Sequence, residues 1–257
     1  MDKLYSLENA QKFSWSSITG DLNPERVSHL ETYLVGKKIL DAGCGGGAYV
    51  EFLCQKGLEV TGIDKYEQFL QVARQKSQVG TYVEADLTNL PFPDKTFDCT
   101  YCFDVLEHID DRVAIQELAR VTGKRLIITV PKEDEVISKF GITFLHYQDK
   151  THLRNYTESS LKDLISTINY SEVIIFPELA VSMKALVREM VDFKLESCAS
   201  ININYIMVKM KIRELLKLKN LSFKFLYKKT YDFLLNRLLE EASYKEIYTG
   251  LVAVIDL

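Results

Sequence analysis

The 257 residues predict an α/β domain, a parallel sheet with helices packed against it. Two observations carry that expectation. Short apolar runs, several ending in an acid, alternate with segments of helical periodicity, and no hairpin turns separate them. The first of these runs also leads directly into a glycine-rich bend ahead of a helix.

The run at 38–41 (KILD) reads as a buried parallel strand. Gly43, Gly45, Gly46 and Gly47 follow, and Tyr49, Val50, Phe52 and Leu53 have helical spacing up to Lys56-Gly57, where glycine suits a helix C-terminus. Residues 58–64 (LEVTGID) form a second strand, 68–75 a helix and 81–86 (TYVEAD) a third strand. The fourth strand is 97–103 (FDCTYCF), the next helix 113–121 and the fifth strand 125–130 (RLIITV). A helix at 161–168 and strands at 171–176 (SEVIIF) and 250–255 (GLVAVI) complete the pattern. Right-handed crossovers place all carboxyl ends of the parallel strands on one edge. Asp41, Asp64, Asp86 and Asp104 therefore gather there.

Composition narrows the function classes. Apolar residues are 47% and charged residues 26%, an ordinary globular balance. The longest stretch without Asp, Glu, Lys or Arg is residues 197–208, twelve residues, whereas a membrane-spanning helix needs about 20. The N-terminus carries Asp2, Lys3 and Glu8 with no apolar run behind them, unlike a secretory signal. The five cysteines are odd in number. Cys99 and Cys102 share a strand, where positions i and i+3 face opposite ways. Reduced thiols and a cytoplasmic setting follow as the expectation. A net charge of −4 argues against a dedicated nucleic-acid binder.

The bend Asp41-Ala-Gly43-Cys44-Gly45-Gly46-Gly47-Ala48 fits both G-x-G-x-G and the dinucleotide pattern G-x-G-x-x-A. Glycines at alternate positions allow a positive φ and let a ligand reach main chain at a helix N-terminus. Asp64 can accept both hydroxyls of a ribose, which suits NAD as well as other nucleosides. Asp86 can accept from an adenine amine, with Leu87 covering the ring. In isolation it reads as an ordinary loop acid or helix cap.

In order and spacing, ILDAGCGGG, VTGID, EADLTNLPFPDKTFD, CFDVLEHI and IITVPK resemble the class I S-adenosylmethionine-dependent methyltransferases of the type 11, small-molecule kind. The resemblance runs from about residue 35 to 131, more weakly to 165, and again at the final strand. It implies a Rossmann-like, seven-stranded sheet whose last strand is antiparallel and lies beside the sixth. It also implies S-adenosyl-L-methionine as cofactor. Gly43, Gly45 and Gly47 would let the backbone approach its methionine part and Asp41 would help hold its ammonium. Asp64 would bind the ribose, with Lys65 beside it. Asp86 would take the adenine amine, with the Leu87 main chain next to the ring. Phe103 would lie under the methionine end. Tyr66 stands where an apolar residue often meets the adenine.

A sulfonium methyl is already activated, so the protein's main task is to place and desolvate a nucleophile. A hydroxyl acceptor also calls for a base, and histidine is suited to that. His108, in Leu106-Glu107-His108 after the fourth strand, lies where the methyl would point. His146 and His152 belong to a polar and aromatic loop (146–157) at the carboxyl edge, and similar enzymes acting on sugars and natural products carry a comparable D-x-x-H-x-R stretch there. Asp149 and His152 can equally brace the loop. His29, on an amphipathic N-terminal helix, reads as a surface residue. No metal is expected, because His146, Asp149 and His152 lack a helical ligand spacing.

The domain reading is a helical lid at 1–34 containing Tyr5, Phe13 and Trp15, a core at 35–179, a helical insertion at 180–247 and a closing strand at 248–257. The insertion would supply an acceptor pocket, lid or homodimer surface. Its residues 209–229 carry eight basic side chains and one acid, +7 against −4 for the whole chain, with Leu215, Leu216, Leu218, Leu221, Phe223, Phe225 and Leu226 interleaved. Such a segment can rest on an anionic membrane or an acidic substrate, or be a solvated face packed on the domain. The expected function is methyl transfer to a small molecule, with an oxygen of a sugar or natural-product scaffold as acceptor. The alternatives are N- or C-methylation of a small metabolite and a non-catalytic cofactor-binding module with a basic interaction surface. An NAD-dependent oxidoreductase fits less well with Asp86-Leu87 and Leu106-Glu107-His108.

Overall fold

The computed structural model describes residues 7–8, 18, 20–77, 79–133, 151–181 and 247–257. The chain divides into two units, Met1–Leu179 with Tyr248–Leu257, and Ala180–Ile247. Only the first is described beyond its ends. Tyr5, Phe13, Trp15, His146, Asp149 and the basic segment 209–229 lie outside the described residues.

Helix α1 (Pro24–Tyr33) starts where Asn23 Oδ1 accepts from the Glu25 and Arg26 N–H groups, with proline at the first turn. Strand β1 (Lys38–Ala42), helix α2 (Ala48–Gln55), strand β2 (Glu59–Asp64), helix α3 (Glu67–Lys76) and strand β3 (Thr81–Glu84) follow. Next come β4 (Phe97–Phe103), a 3₁₀ turn (Leu106–His108), α4 (Asp111–Val121) and β5 (Thr122–Pro131). The described chain ends with α5 (Glu158–Ile165), β6 (Glu172–Val181) and β7 (Ile247–Asp256). The seven strands form one sheet in the order β3-β2-β1-β4-β5-β7-β6. Strands β1 to β5 pair in parallel, and β7 joins β5 antiparallel.

Both faces of the sheet are covered, which is why its strands read as continuous apolar runs. Ile39, Cys99, Tyr101 and Ile127 point into a cluster with Leu30 of α1, Val50 and Leu53 of α2 and Leu70 of α3. Their neighbours Leu40, Cys102, Leu126 and Ile128 point the other way, onto Ile115 and Leu118 of α4 and Leu161 and Leu164 of α5. Cys99 and Cys102 thus sit on opposite faces as buried free thiols, and burial pushes both thiols up. Among the described residues, no helix is long and apolar enough to cross a membrane.

Strands β5, β6 and β7 are longer than expected, and two further boundaries differ for local reasons. Strand β3 stops at Glu84, because Asp86 Oδ1 accepts from the Thr88 N–H (2.9 Å) and hydroxyl (2.7 Å) and turns the chain out of the strand. Helix α5 runs Glu158–Ile165 rather than 161–168. A reciprocal cap between Thr157 and Ser160 sets its start.

Candidate active site

The carboxyl edge of β1 and β2 is closed by the glycine bend. The Gly43 and Cys44 N–H groups both donate to the Ile63 carbonyl at 2.8 Å, which ties the bend to β2. Gly43, Gly45 and Gly47 have φ of +91°, +51° and +73°, the left-handed region that favours glycine. A Cβ at Gly43 would come within 2.4 Å of Val105 Cγ2, and one at Gly47 within 2.7 Å of the Tyr82 hydroxyl. Bare backbone is therefore required at the mouth of the site.

The acids predicted at the strand ends line this edge. Asp64 accepts from the Gly45 N–H (3.0 Å) and the Tyr66 N–H (2.9 Å), and burial raises its pKa. Each carboxylate oxygen keeps further acceptor capacity. Asp86 is held by Lys65 Nζ at 2.9 Å and by Thr88, which lower its pKa to about 2. Lys65 is thereby paired with the acid just beyond β3. The Leu87 side chain is buried in the core beneath, 5% exposed. Leu7 and Ile18, from the N-terminal segment, pack with Tyr66 and Phe69 at the end of β2.

Asp41 is 4% exposed, and burial lifts its carboxyl to about 7. Its Oδ2 and the hydroxyl of Tyr101 beside it have no hydrogen-bond partner but each other. Phe103 stands edge-on to Tyr49 (5.7 Å between ring centres), and the Arg26 guanidinium lies over its ring at 5.4 Å. Arg26 is itself gripped from two sides, by Asp104 Oδ2 at 2.7 Å and Glu178 Oε1 at 3.2 Å, while its Nε–H is unpaired. Asp104 is a non-glycine residue in the left-handed region, φ +53°. Strain of that kind concentrates at functional sites.

The sequence reading missed Arg26, Glu178 and Tyr101, and it misplaced His29. Instead of a surface residue, His29 has a side chain 12% exposed, with Nε2 3.3 Å from Glu178 Oε2 and its ring edge against Phe176. Glu178 is fully buried on β6, and helix α1 turns both its basic residues toward it.

Beyond β4, His108 and His152 come together, with ring centres 4.6 Å apart in an edge-to-face arrangement. The Thr151 hydroxyl lies 3.0 Å from His108 Nδ1, and Glu107 Oε1 lies 3.7 Å from His108 Nε2. The segment that carries His152 is fastened to the 3₁₀ turn. The Leu153 N–H donates to the Glu107 carbonyl (2.7 Å), and Arg154 donates to the carbonyls of Ile109 (2.7 Å) and Leu106 (3.2 Å). Glu107, His108 and His152 each bring a ligand atom within 4.8 Å of one another, so this trio could hold a cation. It is not the His146, Asp149, His152 set considered from sequence.

A glycine bend with three acids on successive strand ends, in a seven-stranded sheet with one reversed strand, defines the class I S-adenosylmethionine-dependent methyltransferase fold. Residues 40–127 match the methyltransferase domain family of type 11. Over 102 residues it is 38% identical to a ubiquinone biosynthesis O-methyltransferase of Idiomarina loihiensis, a match covering 37% of this chain and 42% of that one. A Pseudomonas fluorescens protein of the same name is 40% identical over 99 residues, again covering 42% of its length. The chain thus matches less than half the length of these curated relatives. A methyltransferase from Archaeoglobus fulgidus superposes with a TM-score of 0.62 at 16% identity, covering 98% of this chain and all of that one. Phosphoethanolamine N-methyltransferase 2 of Haemonchus contortus, solved with S-adenosyl-L-methionine, gives 0.56 at 16% identity over 99% of this chain and 59% of that one.

The residues present fit that cofactor. Asp41 Oδ2 and the Tyr101 hydroxyl are buried with no partner but each other, which leaves acceptor capacity for a polar ligand group, and the bend turns on left-handed glycines at the carboxyl edge.

Proposed function

We propose that this protein transfers a methyl group from S-adenosyl-L-methionine to a hydroxyl of a small molecule, on a sugar or natural-product scaffold. The cofactor, when bound, supplies a methyl activated by the sulfonium. Asp64 accepts from the ribose hydroxyls and Asp86 from the adenine amine. Asp41 faces the ammonium, and Arg26 offers a donor to the carboxylate. The observation that carries the oxygen acceptor is the His108–His152 contact at the carboxyl edge beyond Phe103. His108 is braced by Thr151, and His152 stands edge-on to it, where its imidazole would take the proton of an acceptor hydroxyl. The relatives named as O-methyltransferases support the same reading.

The test offers methyl-labelled S-adenosylmethionine with a panel of catechols and monosaccharides, and identifies the product by mass spectrometry. A methyl ether is expected. His152→Ala should lower turnover about 100-fold while S-adenosylhomocysteine affinity stays within about twofold. Label on nitrogen or carbon, or normal turnover by the variant, would overturn the assignment.

A further inference from the structure

Tyr101 lies in the middle of the sheet, where a tyrosine could be core filling and nothing more. Its surroundings say otherwise. Strands β1 and β4 pair with Asp41 opposite Tyr101. The tyrosine is 0% exposed, and its ring is fixed between Phe103 (5.0 Å between centres) and Tyr49 (6.5 Å), so the hydroxyl cannot swing away. That hydroxyl stands against the Asp41 carboxylate, close enough for each to bear on the other's ionisation. Apart from each other, the Tyr101 oxygen and Asp41 Oδ2 have no hydrogen-bond partner. A buried carboxylate and phenol that have only each other keep acceptor capacity to spare, and a ligand N–H is the group that would use it. A phenol has one proton to give and two lone pairs. It can donate to Asp41 and, at the same time, accept from an N–H.

We infer that Tyr101 is a positioning residue for the cofactor: its hydroxyl orients the Asp41 carboxylate and joins it in receiving the α-ammonium of the methionine part. The inference rests on S-adenosylmethionine being the cofactor. The titratable groups near enough to act on Asp41 are Tyr101 of β4, Asp64 at the end of β2, Cys44 in the bend, Tyr49 of α2 and Tyr82 of β3, with Cys102 of β4 acting from the opposite face of the sheet. Tyr101 is the neighbour that lowers the Asp41 pKa, against burial and the Asp64 charge that raise it. Without its hydroxyl, the carboxylate should hold its proton to higher pH.

The experiment is calorimetric titration of the full chain with S-adenosylhomocysteine and with 5′-methylthioadenosine, which lacks the amino-acid portion, between pH 5.5 and 8.5. Tyr101→Phe should weaken S-adenosylhomocysteine roughly tenfold, about one hydrogen bond's worth. It should also move the acid limb of that binding to higher pH and leave methylthioadenosine within about twofold. In a cycle with Asp41→Asn the two losses should be non-additive, as expected for atoms that act on one group. Equal losses for both ligands would reduce Tyr101 to a packing role and overturn the inference, as would an unchanged affinity with an unmoved limb. A wild-type protein that binds neither ligand would remove the cofactor reading itself. Were Tyr101→Phe not to fold, the wild type still decides: an acid limb for S-adenosylhomocysteine but not for methylthioadenosine supports the ammonium site, and identical profiles overturn it.

Discussion

Asp64 does two jobs with one carboxylate. It locks the glycine bend through the Gly45 N–H and holds the chain leaving β2 through the Tyr66 N–H, and in the proposed function its remaining lone pairs serve the ribose. Removing it costs both the ligand's acceptor and the shape of the bend. Asp64→Ala should therefore weaken S-adenosylhomocysteine by about 100-fold, since a bond to a charged acceptor contributes about 1.5–3 kcal/mol. Unchanged affinity by calorimetry would refute the ribose assignment. Asp41, Asp64 and Asp86 were legible in the sequence because a parallel strand that ends in an acid gives away its place on the edge. Arg26 and Glu178 were not, because 152 residues separate them and only the strand order brings them together. Tyr101 was hidden differently. Strand periodicity reveals which face a residue occupies, and it says nothing of where a hydroxyl ends up.

At the scale of elements, helix α1 is fastened to the sheet by charge as well as by Leu30. Arg26 reaches Asp104 and Glu178, His29 touches Glu178, and Glu25 accepts from the Leu179 N–H at 3.0 Å. The His29 error has its source here: an amphipathic pattern shows a polar face, and β6 covers that face with a buried acid. Burial raises Glu178 to about 7, so its ionised form depends on Arg26. Arg26→Met should destabilise the fold by about 3 kcal/mol at pH 8, where Glu178 would be left charged and unpaired. The loss should shrink at pH 6, where Glu178 can keep its proton. Urea unfolding at the two values measures it, and a loss independent of pH would show that Arg26 acts through packing alone. The loop 151–156 is anchored in the opposite way, mostly to main chain, so His152 is placed by the backbone of the 3₁₀ turn. Sequence flagged this loop by composition, and the contact between its histidine and His108 emerged only from the fold.

For the molecule as a whole, the buried acids set the pH response. Asp41 and Glu178 have pKa values raised to about 7, and Asp64 is raised as well. Between about pH 4 and 7 the unfolded chain has released protons that the native state retains, so the stability of the cofactor-free protein falls as pH rises through that window. His29, held below its usual value by burial, works in the other direction, one group against three. Asp86, lowered to about 2, contributes stability above about pH 4 that is lost as pH falls toward 2. The melting temperature without ligand should accordingly be lower at pH 8 than at pH 5.5, and S-adenosylhomocysteine should raise it more at pH 8. A melting temperature that climbs from pH 5.5 to 8 without ligand would contradict the assigned protonation. Among the described residues the alternation of strands and helices was readable, most plainly at β1, β4, β5 and β7, whose inner positions are buried on both faces. The position of β7 needed more than periodicity, because antiparallel insertion between β5 and β6 is a matter of topology. That position has a consequence for biosynthesis. The border of β5 that β7 fills stays bare while the ribosome adds the roughly 65 residues between Val181 and Ile247, and β6, whose neighbour in the sheet is β7, has no strand to pair with. At about 5–20 residues per second the nascent chain spends about 3–13 s with two bare strand borders. Trigger-type chaperones, or a partner docking early on the unfinished chain, would meet it in that interval.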